Sequence, residues 1–385
     1  MVEVVDPSEL KLSSDFDNRY ADAEGRFGVR RNAVQTIPVI DVSPFVGGGS
    51  ARERAAIATE VRQACIDIGF FQIVGHGIAK SELAAALDWG KQFFHLPLTE
   101  KMRVHASKSA TRRGFIGAGG VDPSANPDKT PDIKERFMMS REAMTGEAAA
   151  DSFTVGASQW PEMLPGFESF MKAHMRARVK LSQDLMRCFA LSLQLSETFF
   201  DDVYARPGGT LALNYYPPVQ PEILAKAQWS FSPHTDYGGL TLLTQDDAGG
   251  LQARNCAGEW IDVPPVDGAF VINIGDMFAM WTNDLYSSNL HRAMNTGGQE
   301  RLSIAFFTSP NPDTLVQCLP TCQSAANPPR YSPIKAGDYN NVMISQSHKT
   351  GRPGVSRDTA NRLKAESSDV LTSRRRFAQI TGVDC

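Results

Sequence analysis

From residue 210 onward, apolar and polar positions alternate in short runs, each stopped by Gly, Pro, Asp or Asn and recurring about every ten residues. The runs fall at 210–216, 229–236, 239–245, 250–254, 259–263, 269–274, 278–282, 289–295, 300–308 and 314–319. Short strands at that spacing predict a sandwich or barrel, and eight of them make a jelly roll that can carry a site inside one mouth. Upstream the period changes. Ile37–Val42 and Phe70–Val74 read as apolar strands, and Lys134–Ser140 as a third. Between the first two, Ser50 is placed to cap a helix reaching about Ile68, in which Ala56, Ile57, Val61, Ala64, Cys65 and Ile68 recur at helical spacing. Helices are also predicted at 80–95 and 98–104, and one long amphipathic helix at 162–196. A further helix is expected over Asp338–His348, and another over 357–379.

The expected fold is therefore mainly β with flanking α: a double-stranded β-helix, or jelly roll, with an N-terminal α/β region. The boundaries expected are an extension at 1–35, the α/β region at 36–200, the jelly roll at 205–320, and a C-terminal helix and tail at 321–385. The first segment is polar without sustained periodicity. Polar, glycine-rich stretches at 117–132 and 142–158 read as loops.

Composition adds bounds rather than direction. The 385 residues are 42% hydrophobic and 21% charged, with a net charge of −4, so no nucleic-acid or anionic-membrane partner is expected. No apolar run reaches membrane-spanning length, and Met1–Pro7 lacks the pattern of a signal peptide. The six cysteines are scattered, and Cys318–Cys322 has no second pair to complete a zinc site. A cytoplasmic protein with reduced thiols, monomeric or weakly homo-oligomeric, is the expectation.

Candidate chemistry concentrates in Phe231-Ser-Pro-His-Thr-Asp-Tyr-Gly-Gly-Leu-Thr-Leu-Leu243. On a strand, His234 and Asp236 would share a face. An HxD pair alone arises often by chance. Here it is joined by His291 in a second apolar run and by Arg301-Leu-Ser303 on a third strand. Two histidines and a carboxylate on one face of a metal are the ligand set of non-haem Fe(II) oxygenases, and they leave open positions. Arg301 and Ser303, two apart, would aim a guanidinium and a hydroxyl at one carboxylate beside that metal. His76 lies between two glycines and reads as structural; His174, on the apolar stripe of the long helix, reads as core. By alternation Ala305 and Phe307 share the face of Arg301 and Ser303, while Ala212, Asn214 and Tyr216 share another.

These residues resemble the 2-oxoglutarate- and Fe(II)-dependent dioxygenases of the isopenicillin N synthase-like superfamily. The resemblance rests on HTDYGGLTLL, Gly249–Gln252, NLHR, RLSIAFF, Asn214-Tyr-Tyr-Pro-Pro218, Ile37–Val42 and Gly69–Gly77, in the family's order across about 36–348. It implies Fe(II) on His234, Asp236 and His291, and 2-oxoglutarate held by Arg301 and Ser303 with Asn214 and Tyr216 around it. Ala212 and Phe307 become substrate-wall positions. It also implies O2 as oxidant, ascorbate as a reductant, and oxidation of a small molecule (hydroxylation, desaturation or cyclisation, in specialised metabolism) with release of succinate and CO2.

Two other readings stand beside this one. The first is an isopenicillin N synthase-like oxidase that uses Fe(II) and O2 without 2-oxoglutarate and shares the same motifs; Asn214 and Tyr216 favour the co-substrate. The second is a catalytically silent jelly-roll binding protein, which a degraded triad would signal; here the triad is intact.

Overall fold

The computed structural model describes residues 32–118, 133–144, 154–218, 230–295 and 298–347. The expected helix at 357–379, and most of the expected extension and loops, lie outside these residues. The strands are β1 Val39–Asp41, β2 Phe70–Val74, β3 Gly114–Ile116, β4 Glu135–Ser140, β5 Gly208–Tyr216, β6 Phe231–His234, β7 Leu240–Gln245, β8 Leu251–Arg254, β9 Trp260–Asp262, β10 Phe270–Ile274, β11 His291–Ala293, β12 Arg301–Ser309, β13 Leu315–Val316 and β14 Ile334–Lys335. The α-helices are α1 Ser43–Val46, α2 Ala51–Asp67, α3 Lys80–Phe94, α4 Leu98–Arg103, α5 Phe167–Ser192, α6 Asp276–Trp281 and α7 Ala336–Ser347.

Two sheets carry the architecture. The large one runs β1-β2-β10-β7-β12-β5-β4-β3, the small one β6-β11-β8-β9. The chain is thus mainly β with helices packed outside, and its jelly-roll strands are divided between the sheets: β10, β7, β12 and β5 form the centre of the large one, and β6, β11, β8 and β9 the small one. The early strands extend that sheet at both ends: β2 pairs with β10 and β4 pairs with β5, both antiparallel. Among the described residues, no helix is long and apolar enough to cross a membrane.

Side-chain alternation gives the large sheet two unlike faces. Leu211, Leu213, Leu242, Ile272, Leu302, Ile304 and Phe306 join the main core with α2, α3 and α5. Their alternates, Asn214, Thr241, Val271, Asn273, Arg301, Ser303, Ala305 and Phe307, line a cavity between the sheets. Helix α2 begins as its sequence dictates: Ser50 and Glu53 form a reciprocal capping box. Helix α5 starts at Phe167 rather than 162, after Gly166 at φ 92°, a conformation glycine adopts at little cost.

One expectation fails. Residues 278–282 are not a strand: Asp276–Trp281 is a short helix whose side chains are all buried. A short run buried on every side carries no periodicity to tell helix from strand, and local hydrogen bonding decides. Here the Asp276 N–H donates to the Asp236 carbonyl, and Gly275 lies so close to Gly238 that an added Cβ would sit 2.1 Å from its carbonyl oxygen.

Candidate metal and co-substrate site

Strand pairing brings the two histidines together. β11 runs antiparallel to β6 with His291 directly across from His234, and their ring centroids are 4.2 Å apart. β6 ends at His234, so Asp236 sits just beyond the strand, in the turn that the start of α6 holds by backbone hydrogen bonds. The shared direction of His234 and Asp236 therefore comes from that turn rather than from regular alternation. Asp236 Oδ1 lies 3.9 Å from His234 Nε2 and 3.8 Å from His291 Nε2. One ligand atom from each of the three residues falls within 4.8 Å of the other two, and they are the only such group found among the described residues.

Hydrogen bonds orient this donor set. Asp236 Oδ2 accepts from the Thr241 hydroxyl at 2.5 Å and the Asn273 amide at 2.7 Å, which leaves Oδ1 turned to the histidines. His291 Nδ1 lies 3.2 Å from the Asn289 carbonyl, so it carries the proton and Nε2 keeps its lone pair for the site. Burial pushes the Asp236 carboxyl up; His291 and His234, with Thr241 and Asn273, outweigh it and hold the group below the usual carboxylate range. An ionised carboxylate and two imidazole nitrogens converging on one point suit a divalent transition metal, and the open side faces the cavity.

Arg301 lies on the same cavity, fully buried. Its Nε donates to the Gly249 carbonyl, Nη2 to Gln245 Oε1 at 3.2 Å and Nη1 to Ser303 Oγ at 3.5 Å, and its guanidinium covers the Tyr216 ring at 4.7 Å. All three acceptors are neutral. A buried cation with no carboxylate partner among the described residues is a built receptor for an anion. Asn214 also lines the cavity, with its Oδ1 accepting from Arg136 Nε at 3.0 Å.

His234, Asp236, His291, Asn214, Tyr216, Arg301, Ser303 and Phe307 all line this one cavity. Ala212 does not; its cross-strand neighbour Ala305 does. Thr241 and Asn273 were not anticipated from sequence. The available signal was an asparagine inside the buried apolar run Phe270–Ile274, a placement that needs a polar partner. The other two histidines of interest lie elsewhere. His76 Nε2 meets the Gly268 carbonyl at 2.7 Å, and His174 is buried between Glu82 and Arg178.

Known proteins match both halves of the chain. Residues 207–310 fit the family described as the 2OG-Fe(II) oxygenase superfamily, and residues 37–163 fit that described as non-haem dioxygenase in morphine synthesis N-terminal. The 2-oxoglutarate-Fe(II) type oxidoreductase hxnY of Emericella nidulans is 33% identical over 87% of this chain and 97% of its own. A homoarginine-6-hydroxylase of Glycine max is 35% identical over 76% of this chain and 91% of its own. Among solved structures, a full-length Neurospora crassa protein in complex with alpha-KG and thymine superposes with a TM-score of 0.72 at 27% identity, covering 83% of this chain and 99% of that one. JOX2 in complex with 2OG, Fe and JA gives 0.66 at 27%, covering 93% and 97%.

Proposed function

We propose, from the premise that this chain belongs to the 2OG-Fe(II) oxygenase superfamily, that His234, Asp236 and His291 hold its Fe(II) and that Arg301 and Ser303 grip the remote carboxylate of its 2-oxoglutarate. The chain is a 2-oxoglutarate-dependent dioxygenase acting on a small molecule. The observation that carries the residue assignment is the pairing of an oriented His-Asp-His set with a buried guanidinium that has only neutral protein partners, on one cavity.

Bound there, Fe(II), 2-oxoglutarate and O2 supply the oxidation of a C–H bond, with release of succinate and CO2. The protein's part is positioning. Thr241 and Asn273 hold Asp236 Oδ2, so Oδ1 is presented in one orientation. The Asn289 carbonyl fixes the His291 tautomer. Arg301 brings charge and fork geometry, which a lysine would only half replace. Leu243, Leu251, Val271 and Phe70 give the cavity apolar walls that exclude water beside the metal ligands. Tyr216 and Asn214 complete the co-substrate surroundings, and Phe307 forms part of the substrate wall.

The relatives include fungal oxidoreductases and a plant homoarginine-6-hydroxylase, and the neighbouring structures hold thymine or JA. That company supports a role in specialised metabolism on a small organic substrate; we propose in addition, from the sequence alone, that the chain works in the cytoplasm as a monomer or weak homo-oligomer. The test is succinate formation against 2-oxoglutarate concentration. Stranding a buried charge typically costs about 3–5 kcal/mol, so Arg301→Ala should weaken 2-oxoglutarate by roughly a hundredfold or more, with partial rescue by Arg301→Lys. Product formed with O2 in the absence of 2-oxoglutarate would favour the oxidase reading instead.

A further inference from the structure

We propose that Arg136 anchors the substrate, and hence that the small molecule oxidised here carries a carboxylate. The inference rests on the site assignment above and adds its substrate class. Its first support is register. Arg136 pairs with Asn214, Asn214 with Ser303, and Ser303 with Gln245, so the four form one straight row on one face of the large sheet, the face whose Asn214 and Ser303 line the cavity, with Arg136 one strand beyond Asn214. Arg136 thus stands two strands from Ser303, roughly 10 Å away at the usual strand spacing. That distance separates a second anion-binding point from the one that grips 2-oxoglutarate.

Contacts give the second support. The Arg136 guanidinium lies over the Phe231 ring at 5.3 Å, and Phe231 in turn stacks on His234 with centroids 3.9 Å apart. Phe231 and Asn214 both line the cavity. Arg136 is half-buried; its Nε is committed to Asn214 Oδ1, and its terminal nitrogens, which make no hydrogen bond to the described residues, are the donors left for an incoming group. A carboxylate seated on them would lie next to a flat aromatic wall leading to the metal ligands, and a carbon a few bonds along the molecule would face the reaction centre.

Charge is the third support. Fe(II) with Asp236, and 2-oxoglutarate with Arg301, add to a neutral set. Arg136 lies outside that balance, as do Lys134, set over the Phe231 ring, and Arg292, which lines the cavity but donates to Gln252 Oε1 at 2.8 Å and covers the Trp260 ring at 4.0 Å. Asp236 is the only carboxylate lining the cavity among the described residues, whereas Glu135, next to Arg136 in sequence, turns away to Lys101 at 2.7 Å. The surplus is positive and favours an anion over a neutral or cationic substrate.

The experiment titrates the enzyme, loaded anaerobically with Fe(II) and 2-oxoglutarate, with phenylacetate, cinnamate and octanoate, and with the primary amide of each, by calorimetry. At least one acid should bind roughly tenfold or more tighter than its amide. Arg136→Gln should erase that preference and Arg136→Lys should keep part of it, both with unchanged 2-oxoglutarate affinity. No binding by any acid, equal binding of acid and amide, or a preference that survives in Arg136→Gln would overturn the proposal. A parallel loss of 2-oxoglutarate affinity in both variants would overturn it too, since it would place Arg136 in the co-substrate grip. Should wild type fail to bind 2-oxoglutarate at all, it is the parent assignment that falls.

Discussion

Asp236 divides its two oxygens between two tasks. Oδ1 faces the histidines while Oδ2 is tied to Thr241 and Asn273, and those ties determine which way the carboxylate points. Loss of such an outer partner typically weakens metal affinity about 10–100-fold. Asn273→Ala should therefore bind Fe(II) that much more weakly, as read by metal titration of the folded variant, without touching the metal itself. Full wild-type affinity would show that Thr241 alone suffices. By contrast, His234→Ala, Asp236→Ala and His291→Ala should each abolish Fe(II) binding and leave circular dichroism unchanged; a variant that retains tight binding would remove its residue from the ligand set.

At the scale of elements, the back of the sheet is as organised as its front. Arg178 of α5 reaches into the core and donates to the Leu242 and Ile304 carbonyls at 3.0 and 3.2 Å, to Thr244 Oγ1 at 2.8 Å and to His174 Nε2 at 2.9 Å, while His174 Nδ1 donates to Glu82 of α3 at 2.8 Å. The helix layer is thereby fastened to β7 and β12, the strands that carry Thr241, Arg301 and Ser303. Burial, aided by the Arg178 charge, holds the His174 imidazole far below its ordinary pKa of 6.5, so it is neutral in the folded protein. The unfolded chain takes up a proton below that value and the folded one does not, so stability is full above pH 6.5 and declines as pH falls, by about 1.4 kcal/mol per unit for this group. His174→Gln keeps an acceptor for Arg178 and a donor for Glu82 without titrating. Its urea midpoint should fall less than that of wild type between pH 7.5 and 5.5, and parallel falls would show that other groups carry the acid sensitivity.

This scale also shows what sequence can convey. Strands from 208 to 309 announce themselves because one face is core and the other is cavity, which enforces alternation. His234, His291, Arg301 and Ser303 could be picked out together because strand pairing constrains their spacing, and Asp236 because it follows His234 by two residues, although a turn and not the strand aims it. The helical nature of Asp276–Trp281 was hidden, since uniform burial erases periodicity. Arg136 was hidden for another reason. Its place on the cavity face depends on β4 pairing with β5 across 78 residues of sequence, and nothing local in Glu135–Ser140 encodes that partner.

Over the whole molecule, two sheets and a helix layer share their work between stability and chemistry, and the boundary between these roles runs through single strands. In β12, Leu302, Ile304 and Phe306 belong to the core, while Arg301, Ser303 and Ala305 face the cavity. The buried Arg301 guanidinium, with its neutral acceptors, has a consequence beyond recognition. A dianion that binds only the folded state shifts the folding equilibrium by mass action, worth about 2.7 kcal/mol at a hundredfold excess over its dissociation constant. With Fe(II) present throughout, added 2-oxoglutarate should raise the melting temperature of wild type and leave that of Arg301→Ala nearly unmoved in differential scanning fluorimetry. An equal rise in both would mean that the anion is held elsewhere. Since less unfolded chain means less substrate for proteases, the lifetime of the enzyme would then track the supply of a central metabolite, and abundance would become a readout of carbon status.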